Sequence, residues 1–294
     1  MLKNWKTSSG LAIAALVSVT AAWGATFVVV QDAVSRMPVM DFLAVRFSVA
    51  ALAMVALRPM CLKGMGREGF KRAAWLGLAL GLGYIFQTFG LQQTSAAVSG
   101  FITGMFVVLT PVVSWALLRR KTGANIWWAV ALATAGLALL SLRGWSVGGG
   151  ELLTLLCALF FAFHIVGLGE WSPKHDVYGL AVLQIAFVAG LCLAFALPDG
   201  LTLLPDAGVW AAVGITALVA TAFAFVVQTW AQSLISPTRA AVVMTMEPVF
   251  AGFFGVLLAG DILTGRIIGG ATLVLMAMLL TELKPRPVVE RLEA

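Results

Sequence analysis

The sequence predicts an all-α integral membrane protein, with ten transmembrane helices arranged as two inverted five-helix repeats. Three observations lead there. Of 294 residues, 61% are hydrophobic and 11% charged, with a mean hydropathy of +1.00, far more apolar character than a soluble domain carries. The apolar residues fall into segments near the ~20 residues that a helix needs to cross ~30 Å of hydrocarbon. The segments also repeat. Trp23-Gly24-Ala25-Thr26-Phe27, Pro38, Asp41 and Arg46-Phe47 are answered 138 residues later by Phe161-Ala162-Phe163-His164-Ile165, Asp176, Gly179 and Gln184-Ile185. Thr110-Pro111 is answered 137 residues later by Glu247-Pro248. A unit with an odd number of spans sits upside down in its second copy, and inverted repeats build transporters that work by alternating access.

The first span, 10–31, follows Lys3 and Lys6. It is too long for a signal-peptide core and places Trp23 where a small cleavage-site residue would be needed, so it reads as a helix. The second, 38–58, carries Arg46, and the third, 72–92, carries Gly77, Gly81, Tyr84 and Gln87. The fourth, 97–118, contains Gly100, Gly104 and Thr110-Pro111, and the fifth is 125–142. In the second half the spans are 150–169, 178–197, 207–231, 237–259 and 264–282. The first repeat therefore occupies 1–145 and the second 146–284, followed by a tail, 285–294, too short and polar to pack.

Orientation follows from the cations. With the N-terminus cytoplasmic, 15 of the 19 Lys and Arg residues fall on the cytoplasmic side. Arg36, Arg143 and Arg266 fall opposite, and Arg46 lies within a span. Both termini are then cytoplasmic in the inner (plasma) membrane. The net charge of +6 is explained by this bias over short loops and does not require nucleic acid as a partner. Cys61, Cys157 and Cys192 have neither pairing nor metal spacing and read as small apolar filler.

The chain resembles the EamA-type members of the drug/metabolite transporter superfamily. The residues that carry the likeness are Trp23-Gly24-x-x-Phe27, Arg46-Phe47 and Gly90-Leu91-x-x-Thr94-Ser95-Ala96-Ala97 with Gly100-Phe101-Ile102-Thr103-Gly104 beyond it. In the second half they are Ser236-Pro237-Thr238-Arg239-Ala240-Ala241 and Glu247-Pro248-Val249-Phe250. The resemblance implies ten helices in two inverted repeats and a small-molecule carrier, frequently an exporter of metabolites. Asp261 stands where the family has an acidic residue after helix nine, but its first-half counterpart falls in the cationic Arg119-Arg120-Lys121.

Polar residues inside the spans are the candidate site, because a charge near the bilayer centre costs about 2.5–3.5 kcal/mol on insertion scales and faces a cavity or a partner. Arg46, about 12 Å into the second span, reads either as an anchor for a substrate anion or as a structural partner of Asp41 or of helix-end carbonyls. Glu247, about midway along the ninth span, is a coupling candidate or a hydrogen-bonding link between helices. Pro248 cannot donate to the carbonyl of Met244, so a kink and hinge are expected there, with Pro111 hinging the fourth span in the same way. His164 answers Thr26 across the repeat, so both could flank one cavity, though a lone histidine also reads as a core residue. Tyr84 and Gln87 share a helix face. Thr221, Phe225, Gln228 and Gln232 form a stripe at helical spacing, suited to a water-filled path or to bonds between helices. Trp23 is the tryptophan placed to stack on a substrate, whereas most others fall at span ends as interfacial belts. Phe101 and Met105 complete the cavity candidates from the fourth span. The pairs Gly77/Gly81, Gly100/Gly104 and Gly265/Gly269 have the spacing for close helix contact.

Enzymatic readings lack their motifs. With only His164 and His175 there is no H-E-x-x-H, no serine–histidine or paired aspartate signature, and no nucleotide-binding loop. No catalytic residue, metal or cofactor is expected. The partners expected are a small organic solute, the lipid bilayer and, for coupling, protons; a monomer and a dimer are both compatible with the sequence. The function expected is secondary active transport by alternating access, outward, of small organic metabolites such as amino acids or amphipathic compounds. An importer of a vitamin-like solute and a non-transporting sensor or scaffold on the same fold remain as alternatives.

Overall fold

The computed structural model describes residues 9–119, 123–143, 146–202, 205–235, 240 and 243–282. Lys3, Trp5, Lys6, Arg120, Lys121, Trp145, most of the Ser236–Ala241 stretch and the tail lie outside them. Helices dominate: α1 (Ser9–Val34), α2 (Val39–Leu57), α3 (Gly66–Leu91), α4 (Ala96–Thr103), α5 (Phe106–Leu118) and α6 (Ala124–Ser141) are followed by α7 (Gly149–Trp171) and α8 (Val177–Ala196). A helix then runs through α9 (Ala207–Ala217), a π turn (Leu218–Phe223) and α10 (Ala224–Leu234), and α11 (Met246–Ala259) and α12 (Gly265–Glu282) complete the bundle. Two residues on each side, Leu142–Arg143 and Ser146–Val147, pair antiparallel between α6 and α7, where the sequence reads only as a loop.

Seven helical stretches are long and apolar enough to cross a membrane, and three shorter apolar helices accompany them. The protein is a multi-pass membrane protein. Its outer surface is what a bilayer requires: Leu52, Leu57, Trp75, Trp128, Leu257 and Ile262 stand exposed, an apolar coat that water would not tolerate over so wide a surface. Helix starts are capped where the chain leaves the bundle. Ser95, Asp176 and Asp206 each accept a backbone N–H from the first turn of α4, α8 and α9. Arg119 and Gly260, both left-handed, end α5 and α11.

The bundle is knitted between its halves. α1 packs on α11, α2 on α8, α3 on both α7 and α8, α4 on α11, α5 on α7, and α6 on α12. Glycines allow the closest of these approaches. A Cβ on Gly77 would come 2.5 Å from the Cβ of Phe187, and one on Gly24 would meet the backbone of Ala251 at 2.8 Å. Gly100 and Gly104 likewise face Ala251 and Met278. The third expected pair differs: nothing lies within 4 Å of Gly265, and Gly269 is 3.8 Å from Leu139. The close approach of α6 and α12 falls instead at Gly136 and Gly270, where a Cβ on Gly270 would sit 2.9 Å from the carbonyl of Gly136. The spacing is right, but the face of α12 turned to its partner is one residue on.

Candidate functional site

A cavity lies where α1, α2, α3, α5, α7, α10 and the start of α11 converge. Its free space is about 40 Å³, room for a few water molecules and not for a drug-sized solute. The chain is contracted around it.

Each wall can be traced to its helix. From α1 come Trp23 and Thr26, one turn apart, and from α2 Arg46. α3 supplies Tyr84 and Gln87, α7 His164, α10 Phe225 and Gln228, and α11 Glu247. The expected candidates from these helices thus meet around one space. Phe101 and Met105 do not line it. Phe101 points at Gly252 of α11, within 3.4 Å of where a Cβ there would stand, and Met105 is buried in the turn between α4 and α5. Their helix is broken at that turn, which rotates the preceding α4 towards α11.

The breaks also correct the expected hinges. In the fourth span the helix stops at Gly104–Met105, where Met105 N–H donates to Ile102 and Val107 N–H to Gly104 in tightened three-residue steps. Pro111 lies within α5. In the ninth span the interruption is at Met244–Thr245, and Met244 O is not orphaned: Glu247 N–H donates to it at 3.0 Å. Pro248 thereby occupies the first turn of α11, where its missing N–H would have been unsatisfied in any case. The proline starts a helix instead of bending one, and Glu247 sits in that first turn.

Arg46 is buried but not paired with Asp41. Asp41 accepts instead from Thr202 N–H at 3.0 Å. The Arg46 Nε donates to Thr221 Oγ1 at 3.1 Å, and the guanidinium lies 4.8 Å from the ring centre of Tyr84 and 5.1 Å from that of Phe47, cation–π geometry. Among the described residues Arg46 forms no ion pair, and Glu247 has no hydrogen-bonding or ionic partner. Tyr84 stands between them, its ring also 5.3 Å from Phe161 and 6.2 Å from Phe225.

The eighth-span stripe is split in use. Phe225 and Gln228 face the cavity, whereas Thr221 binds Arg46 and Gln232 donates to the Ile165 carbonyl at 3.1 Å. The π turn holds an extra residue per turn, so α-helical spacing does not carry through it. Opposite, Trp23 Nε1 donates to Ala220 O in that turn at 2.8 Å. The imidazole of His164 lies 2.6 Å from Gln184 Oε1, whose amide nitrogen donates to Thr229 at 3.2 Å. Gln184 went unmarked in the sequence, although it stands at the repeat position of Arg46 and its polarity in mid-span was the available signal. The apolar liners Phe27, Leu80, Phe106, Phe161 and Met244 carry no such signal.

Comparison with known proteins agrees with this architecture. The model of the EamA-like transporter family matches the chain twice, over residues 10–142 and 148–283. The chain belongs to the EamA-like transporter family. An uncharacterized transporter of Archaeoglobus fulgidus is 36% identical over 96% of this chain and 88% of its own length. The uncharacterized inner membrane transporter YedA of Escherichia coli K12 is 26% identical, over 91% and 92%. The uncharacterized transporter YoaV of Bacillus subtilis is also 26% identical, over 88% and 92%. A solved crystal structure, 16% identical, superposes with a TM-score of 0.68 over 93% of this chain and 98% of its own, a likeness of fold. As an EamA-like protein the chain is a membrane transporter with a small-molecule substrate.

Proposed function

We propose that this EamA-like chain is a secondary active carrier, outward-directed, for small organic metabolites such as amino acids or amphipathic compounds. Two inverted five-helix halves, 1–145 and 146–284, would rock about the central cavity to expose it to either side in turn. The observation that carries the reading is the composition of the cavity: Trp23, Arg46, Tyr84 and Gln87 come from the first half and His164, Phe225, Gln228 and Glu247 from the second. A space built jointly by both halves changes its access when they move.

The helix packing supports the inverted repeat. Exchanging each helix for its counterpart in the other half leaves the pairings in place: α2 with α8, α6 with α12 and α4 with α11 map onto themselves, and α1 on α11 maps onto α7 against the fourth span. The bias of cations supports cytoplasmic termini and insertion in the inner membrane. The contracted cavity is the occluded stage of such a cycle, between its two open forms. Glu247 is the coupling group, since a carboxyl facing the cavity can carry a proton in one direction and release it in the other.

The test is counterflow exchange in liposomes with labelled amino acids, nucleosides, sugars and quaternary ammonium compounds, without an imposed gradient. Saturable exchange of one class is expected. Silence across the whole panel from folded protein would remove the carrier reading. Glu247→Gln is expected to preserve counterflow at saturating solute and to abolish accumulation under a proton gradient. Wild-type accumulation by that variant would remove Glu247 from coupling.

A further inference from the structure

The cavity holds two charges of opposite sign that do not satisfy each other. Arg46 spends its Nε on Thr221 and stacks its guanidinium on Tyr84 and Phe47. Apart from the phenol of Tyr84, no side chain among the described residues meets its terminal nitrogens. Glu247 faces the same space without a partner, more than 4 Å from any Arg46 nitrogen, since no ion pair joins them. Tyr84 lies within electrostatic reach of both. Beside them Gln228, 2% exposed, has an amide oxygen that is buried and accepts no hydrogen bond.

Buried polar groups are normally satisfied, and a protein that leaves three open around one cavity has left them for a ligand. A simple anion would satisfy Arg46 and leave Glu247 facing a like charge. A simple cation would do the reverse. A dipolar solute satisfies both at once and leaves the net charge of the site unchanged. The remaining walls, Trp23, Phe161 and Phe225, are broad rings suited to a flat or bulky apolar body.

Resting on the carrier reading above, we propose that the cavity is a receptor for a dipolar ion, an amino acid with a bulky apolar side chain. Its carboxylate is taken by the terminal nitrogens of Arg46, and its ammonium group by Glu247 with the amide oxygen of Gln228. The rings of Trp23, Phe161 and Phe225 hold the side chain. Because the free space is about 40 Å³, the helices must part to admit it, so recognition and opening are one event. Selectivity comes from the orphaned group that each incomplete ligand leaves behind.

The experiment is competition against counterflow of the dipolar solute by matched triplets: phenylalanine, 3-phenylpropanoate and 2-phenylethylamine; and leucine, 4-methylpentanoate and 3-methylbutylamine. In at least one triplet the dipolar member is expected to compete about tenfold or more better than both single-charge analogues. Arg46→Gln should erase the preference over the amine, and Glu247→Gln the preference over the acid, with Arg46→Lys restoring part of the first. Size exclusion and thermal unfolding establish that each variant is folded. If a variant does not fold, the wild-type triplets alone decide. A single-charge analogue that competes equally well overturns the proposal. So does exchange of nucleosides, sugars or quaternary ammonium compounds with no response to either dipolar member, which leaves the carrier reading standing. Absence of all exchange overturns both.

Discussion

The indole nitrogen of Trp23 donates to the carbonyl of Ala220 at 2.8 Å, joining the first helix of the chain to a π turn 197 residues away. A π turn departs from the regular helical bonding pattern and recurs at functional positions, and here one of its carbonyls is held by a cavity-lining side chain. The two rings Trp23 and Phe225 then meet at 5.6 Å across the cavity wall.

Trp23→Phe keeps an aromatic ring opposite Phe225 but removes the donor. The buried carbonyl of Ala220 then loses its side-chain partner, at a cost of about 1–3 kcal/mol. Thermal unfolding in detergent is expected to shift downward accordingly. An unchanged midpoint would mean that the backbone of the π turn satisfies that carbonyl without Trp23.

Gln184→Leu leaves the imidazole of His164 without its 2.6 Å partner and Thr229 without its donor, with His164 still 2% exposed. Destabilisation of about 1–3 kcal/mol follows. Adding His164→Phe removes the orphaned ring nitrogen and should recover much of the loss, a coupling that a double-mutant cycle measures. Additive losses would show that the two side chains act independently.

At the end of the bundle carrying the α1–α2 connection, Asp206 accepts from the N–H groups of Gly208 and Val209, and from Arg36 Nη1 at 2.7 and 2.8 Å. Arg36 also pairs with Asp32. The Val209 N–H, followed by Arg36 and Gly208, holds the Asp206 carboxyl below its ordinary value. A group whose folded value is depressed contributes stability above its unfolded value, about 3.9, and loses that contribution as the pH falls through the folded one. Unfolding midpoints should therefore drop below about pH 4 more steeply in the wild type than in Asp206→Asn, which keeps the cap but not the charge. Parallel curves would exclude Asp206 from the acid limb.

Gly77→Ala is expected to reduce folded yield, because the new methyl would lie 2.5 Å from Phe187 Cβ and 2.7 Å from the Gln184 carbonyl. The two helices would have to separate. Gly190→Ala, with nothing within 4 Å, is the control and should be tolerated or gain slightly in helix propensity. Equal yields would show that α3 and α8 can part at no cost.

The membrane character, the helical segments and the polar residues gathered on them were written in one dimension. Hydrophobic run length is dictated by bilayer thickness, and a polar side chain such as Arg46, Gln87 or Glu247 in such a run stands out because hydrocarbon offers it nothing. What lay beyond the sequence depends on register. Whether Phe101 faces the cavity or α11, whether Gly269 or Gly270 meets α6, and whether Arg46 finds Asp41 or Thr221 are each settled by a rotation of a fraction of a turn. The breaks at Gly104–Met105 and Met244–Thr245 and the π turn before α10 set those rotations. None leaves a mark in hydropathy, because the residues on either side of each break are equally apolar. The sequence by itself determined which groups had to leave the lipid. The tertiary structure decided which of them meet, because only the packed helices choose between partners of similar chemistry a few ångströms apart.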